Sequence, residues 1–87
     1  RYTALHAAAE FGQLATTRVL VDKGADVNAR CARAERTPLF YAAQHRRSQI
    51  ARFLISKGAN RRLRDAEGLR AYQLVEVASE EDDLLRD

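Results

Sequence analysis

One cysteine, one proline, four glycines and six aromatic residues are all that this chain of 87 residues carries of these types. Each scarcity removes a class of function. Cys31 has no partner for an internal disulfide and no neighbours at metal-ligand spacing. That favours a reducing, intracellular compartment and a small loop residue, with a reactive thiol beside Arg30 and Arg33 as the alternative. The glycines, at positions 12, 24, 58 and 68, stand apart at turns and build no phosphate-cradling loop. The three Tyr and three Phe are too few for base-stacking platforms. No apolar run approaches the roughly 20 residues that span a bilayer, and the N-terminus lacks the apolar block of a signal peptide.

What remains is the composition of one small globular domain, 46% hydrophobic and 31% charged. Its core is small, so marginal stability is expected. The chain begins at Arg1 rather than Met, which suggests a piece of something longer. The net charge of +3 conceals an uneven distribution: residues 1–75 hold 14 of the 15 basic and six of the 12 acidic residues. Residues 76–87 hold the other six acids against Arg86 alone. A basic body carries an acidic tail.

The chain also repeats itself. "TALHAAAEFG", from Thr3, and "TPLFYAAQHR", from Thr37, share an offset of 34. Leu5 meets Leu39, Ala8 and Ala9 meet Ala42 and Ala43, Leu20 meets Leu54, and "VDKGAD" meets "ISKGAN". Self-similarity at such a period marks a stacked-repeat architecture. Thr37 suits a helix N-cap whose hydroxyl accepts a backbone N–H, and Pro38 suits the first helical position. Leu39, Ala42 and Ala43 fall on one helical face, where the alanine methyls let helices approach closely. Gly12 closes the first helix with positive φ. A second apolar pattern follows, at Leu14, Thr17, Leu20 and Val21, then at Ile50, Phe53, Leu54 and Ile55. Each unit is therefore helix, turn, helix and an extended polar loop. Neither short helix buries its apolar face alone, so the units must stack.

"TALHAAAEFGQLATTRVLVDKGADVNA" resembles the ankyrin repeat, whose signature is T-P-L-H-x-A-A-x-x-G, an apolar helix and then G-A-D-V-N. The resemblance covers roughly residues 1–76. It implies an all-α solenoid with β-hairpin-like fingers: repeat 1 over 1–34, repeat 2 over 35–67 and a C-terminal capping repeat over 68–87. It makes His6 a structural partner of Thr3. Several positions depart from the pattern. Phe40 replaces the His, so Thr37 lacks that brace. Arg46 replaces the glycine supplied by Gly12, which strains or reshapes its turn. The finger from Asn28 to Arg36 has one residue too many, with Cys31 and Glu35 where an Asp and a Gly make a tight turn. It is expected to be more mobile than the finger from Asp65 to Gly68. Arg70, Ala71, Tyr72 and Gln73 stand where the third motif should begin. The helix expected around Tyr72–Ala78 and the polar end, with Glu80 to Asp83, read as a solubilising cap.

Catalysis has almost no support. Neither His6 nor His45 has a Ser, Cys or carboxylate placed beside it as a triad or metal site, and no cofactor is implied. Glu80 to Asp83 lack the alternating ligands and central Gly of a calcium loop. Seven arginines lie on the fingers, at positions 30, 33, 36, 61, 62, 64 and 70. They reflect either composition or a guanidinium rim suited to carboxylates. The resemblance implies a non-catalytic module that binds another protein through finger tips and inner helix surface. The corresponding positions are Tyr2, Glu10 and Phe11; Arg33, Arg36, Gln44 and His45; and Ala66, Glu67 and Leu69. Tyr2, Arg33 and Arg36 are the leading anchors, both arginines being expected on solvated loop. Phe11 could instead pack beneath a neighbouring repeat. The expected partner is a protein with an acidic surface, met by a monomeric unit. The alternatives are an Arg rim that binds nucleic acid or a phosphorylated ligand, and a structural or regulatory end of a larger protein.

Overall fold

A computed structural model describes residues 2–71. Four helices succeed one another: α1 (Ala4–Glu10), α2 (Leu14–Asp22), α3 (Pro38–Gln44) and α4 (Ser48–Ser56). The helix expected around residues 72–78 and the acidic segment after it lie outside the described residues. Helices α1 and α3 pack together as an inner layer, and α2 and α4 back them. Ala9, Ala42 and Ala43 are buried at this junction with Leu5, Leu39 and Phe40, while Ile50, Ala51 and Leu54 extend the core into α4. Methyl groups at the contact let the inner helices approach; larger side chains would overpack it. The all-α stack anticipated from the repeat is the observed architecture.

The two inner helices begin alike and are capped differently. The Thr3 hydroxyl accepts the His6 N–H while His6 Nδ1 accepts the Thr3 N–H at 3.0 Å, a reciprocal capping box. Thr37 has the same extended backbone but makes no side-chain capping bond, contrary to expectation. Phe40 brings no ring nitrogen to complete the box, and Thr37 is buried. There the Phe40 N–H donates to the Thr37 carbonyl at 3.0 Å.

The helix ends settle the question posed by Arg46. At Gly12, φ is +74°, and the next N–H, of Gln13, returns to the Ala8 carbonyl at 2.9 Å. At Arg46, φ is +58°, and Arg47 N–H returns to Ala42 at 2.7 Å. The turn is therefore kept, and the non-glycine residue bears the strain. Arg46→Gly is expected to raise stability by about 0.5–1 kcal/mol, the relief of a left-handed β-carbon less the added chain entropy. Urea unfolding of the two chains measures it; a lower midpoint for the variant refutes it. A β-carbon at Gly12 would lie 3.0 Å from Arg47 Cζ, so the Arg47 side chain would have to give way, and the positive φ would be strained besides.

The fingers differ by one residue, as the sequence indicates. In the second, Asp65 N–H donates to the Leu69 carbonyl at 2.8 Å, and the Asp65 carboxylate accepts from Glu67 and Leu69 N–H. An antiparallel bridge between Arg64 and Arg70 extends this finger. In the first, Cys31 N–H reaches Arg36 instead, at 3.0 Å, and the longer tip closes through Arg33 and Glu35 at φ +71° and +55°. The Ala66 N–H then donates to the Ala34 carbonyl at 2.8 Å, tying the fingers together.

Candidate interaction surface

The exposed inner surface follows the 34-residue offset, position by position. Tyr2 in the first unit corresponds to Arg36 in the second, Glu10 to Gln44, and Phe11 to His45. Both units use these positions in the same way. The Tyr2 hydroxyl runs along α1 and donates to the Glu10 carboxylate. Arg36 runs along α3 and donates to the Gln44 amide oxygen at 3.4 Å. An extended residue before the helix thus spans its exposed face and meets the residue at its far end.

Tyr2 is the centre of the first unit's surface. Its ring stacks on His6 with centroids 5.6 Å apart and meets the edge of Tyr41 at 5.6 Å. Burial, then the hydrogen bond to Glu10, pushes its hydroxyl pKa up to about 12. Tyr41 is likewise pushed up to about 12, by burial and by its contact with Cys31, whose sulfur lies 3.4 Å from the hydroxyl. Glu10 has a second neighbour in His45, whose Nε2 is 3.7 Å from Oε2. Arg47 Nε donates to the Glu10 carbonyl at 3.2 Å.

Arg36 departs from the solvated finger residue the sequence suggests. Its Nε donates to Asp65 Oδ2 at 3.1 Å, and the two side chains are 21% and 1% exposed. Burial would raise the Asp65 pKa, but the N–H groups of Leu69 and Glu67 together with Arg36 outweigh it and hold the carboxyl below its usual 3.8. Arg36 is therefore a half-buried strut between the fingers. Arg33 by contrast is exposed at the tip. Phe11 is 65% exposed and Tyr2 48%. Gln44, His45, Ala66 and Glu67 are exposed, and Leu69 is half-buried. Tyr2, Glu10 and His45 form one cluster; Arg36 with Gln44 forms a second beside it. Arg33, Ala66 and Glu67 belong to the finger tips, apart from both clusters.

Sequence reasoning missed three contributors. Asp65 was read only as a turn former, and Tyr41 was not singled out. His6 does more than brace Thr3: Nδ1 accepts from the Thr3 N–H, so Nε2 carries the proton and donates to the Arg36 carbonyl at 2.8 Å. The offset contained a usable signal, since Cys31 falls at the position of Asp65 just as Tyr2 falls at that of Arg36. The two positions that hold the charged pair in one unit hold neutral residues in the other.

Among the described residues no helix is long and apolar enough to cross a membrane. No group of three or more His, Cys, Asp or Glu is placed among them to hold a metal ion.

Stacked helix-turn-helix units, hydrogen-bonded fingers and a Thr–His capping box define a repeat scaffold. The family model for ankyrin repeats (3 copies) matches residues 1–65, and the chain belongs to the ankyrin repeat family. The chain is 41% identical over 73 residues to the NF-kappa-B inhibitor cactus of Drosophila melanogaster, covering 82% of this chain and 15% of that protein. It is 36% identical over 66 residues to the BRCA1-associated RING domain protein 1 of Caenorhabditis elegans, covering 76% and 9%. Against the ankyrin repeat and SAM domain-containing protein 6 of Rattus norvegicus the identity is 35% over 80 residues, covering 92% and 9%. The chain thus spans a small fraction of the length of these relatives. Ankyrin repeats are in general protein–protein interaction modules, typically without catalytic activity.

Proposed function

We propose that this chain is a non-catalytic recognition module that holds an acidic segment of a partner protein against its finger tips and inner helix surface. The observation that carries the proposal is the exposure of Arg33 at a finger tip closed by backbone hydrogen bonds, Cys31–Arg36 and Ala34–Ala66. With the backbone of the tip already held, pairing with a carboxylate orders the arginine side chain alone. Tyr2, Gln44 and His45 present further exposed polar surface along the inner helices, apart from the tip, while Ala66, Glu67 and Leu69 complete the second tip. A relative named as an NF-kappa-B inhibitor and another named as BRCA1-associated support the class of function, not the partner.

Arg36 and Arg47 are unsuitable for testing it, because one holds Asp65 and the other packs on Gly12. Arg33→Glu is the cleaner change, with Arg18→Glu on α2 as the equal-charge control. Binding of a synthetic acetyl-Asp-Glu-Asp-Glu amide is expected to weaken about tenfold or more in the first. The control retains it. Equal losses in both variants reduce the effect to bulk charge and overturn the finger site. Binding of a single-stranded oligonucleotide instead, with affinity falling steeply as salt rises, overturns the protein partner.

A further inference from the structure

The inner helices carry one formally charged side chain between them. Helix α1 reads ALHAAAE and α3 reads PLFYAAQ, so Glu10 stands alone as an acid among apolar and neutral polar residues. The fingers, by contrast, are arginine-rich. A partner that presents only acidic groups would meet Glu10 as a repulsive element wherever it reached the inner face.

The surroundings of Glu10 fit a cation. One carboxylate oxygen accepts the Tyr2 hydroxyl and the other lies 3.7 Å from His45 Nε2. The Glu10 side chain is 27% exposed, at the edge of solvent. The Tyr2 ring is stacked on His6 through one face and touches Tyr41 at an edge. The residue as a whole is 48% exposed. A guanidinium placed beside Glu10 would meet a carboxylate with an aromatic ring next to it. The neighbouring position in the second unit cannot do this, since Gln44 is neutral and already receives Arg36.

We infer that Glu10 and Tyr2 form a subsite for a basic side chain of the partner segment, an arginine or lysine lying against the first unit's inner helix. The inference rests on the inner surface being a recognition face, as proposed above. It adds that the partner is bipolar, with carboxylates at the finger tips and one cation toward the far end of α1. Seven helical residues at about 1.5 Å rise place that cation roughly 10 Å from the start of α1. An extended partner covers this distance in about three residues.

The test uses the full 87-residue chain and two small probes of the same shape, N-acetyl-arginine amide and its uncharged counterpart N-acetyl-citrulline amide. Amide chemical shifts are followed by NMR. Saturable shifts at Tyr2, Glu10 and Phe11 are expected with the arginine probe, and about tenfold weaker binding with citrulline. Glu10→Gln, which keeps the shape and an acceptor for Tyr2, is expected to abolish the difference between the probes. Equal responses to the two probes, an unchanged preference in Glu10→Gln, or no shifts at all overturn the subsite. Should Glu10→Gln disturb the fold, the two probes compared on the unaltered chain decide alone. The acidic peptide reads the finger tips separately, so loss of one response with retention of the other tells which reading fails.

Discussion

Asp65→Ala is expected to destabilise the chain by about 3 kcal/mol, a large part of what so short a domain possesses. The carboxylate is 1% exposed and receives three donors: Arg36 Nε and the N–H groups of Glu67 and Leu69. Removing it opens the second finger's turn and leaves Arg36 half-buried without its acid. Asp65→Asn keeps the side chain's shape and one acceptor oxygen, and should lose about half as much. Urea unfolding followed by circular dichroism measures both. A loss in Asp65→Ala of less than about 1 kcal/mol, the size expected of an exposed pair, shows that Asp65 is not a structural centre. A pH effect accompanies it. Because the folded pKa lies below 3.8, this contribution is complete above that value and disappears only as acid titrates the folded carboxyl.

His6→Ala is the second large effect, again about 3 kcal/mol. The ring is fully buried and joins the Thr3 cap of one unit to the Arg36 carbonyl of the next. Its removal leaves a cavity and the Thr3 N–H without this partner, while the Arg36 carbonyl keeps the Cys31 N–H. Burial pushes the His6 pKa below its ordinary 6.5, with the carbonyls of Arg36 and Ala29 opposing. The sign follows. Above 6.5 both folded and unfolded chains hold the ring neutral, and stability is highest. Below it the unfolded chain takes up a proton that the folded chain resists, so stability falls with pH until the folded ring also titrates. Unfolding free energy is expected to decline between about pH 7 and 5, with the slope reduced in His6→Gln. A slope that His6→Gln leaves unchanged assigns the effect elsewhere.

The fold was legible because its determinants are local and repeated. The 34-residue offset, the Thr starts, the alanines and Gly12 each specify a conformation within a few residues, and the helices follow them. The surface was legible only as positions. That Tyr2 would lie along α1 onto Glu10, or Arg36 reach Asp65, depends on side chains 8 and 29 residues apart. No helical or strand period connects such pairs. Thr37 was misread for a related reason: the Phe40 N–H that its hydroxyl was expected to receive donates to the Thr37 carbonyl instead. The mobility expected of the first finger awaits hydrogen exchange, though its tip is closed by defined bonds.

The extra residue of that finger is absorbed between Cys31 and Arg36, after which every later position resumes its place. Asn28 still bridges to the Gly58 carbonyl and the Asn60 N–H, at 3.1 and 2.7 Å. Length can therefore change at the tip without disturbing the base. A short peptide grafted between Arg33 and Ala34 would be displayed on a stem whose feet stay fixed, which makes this loop a natural point for altering what the module grips while leaving its frame untouched.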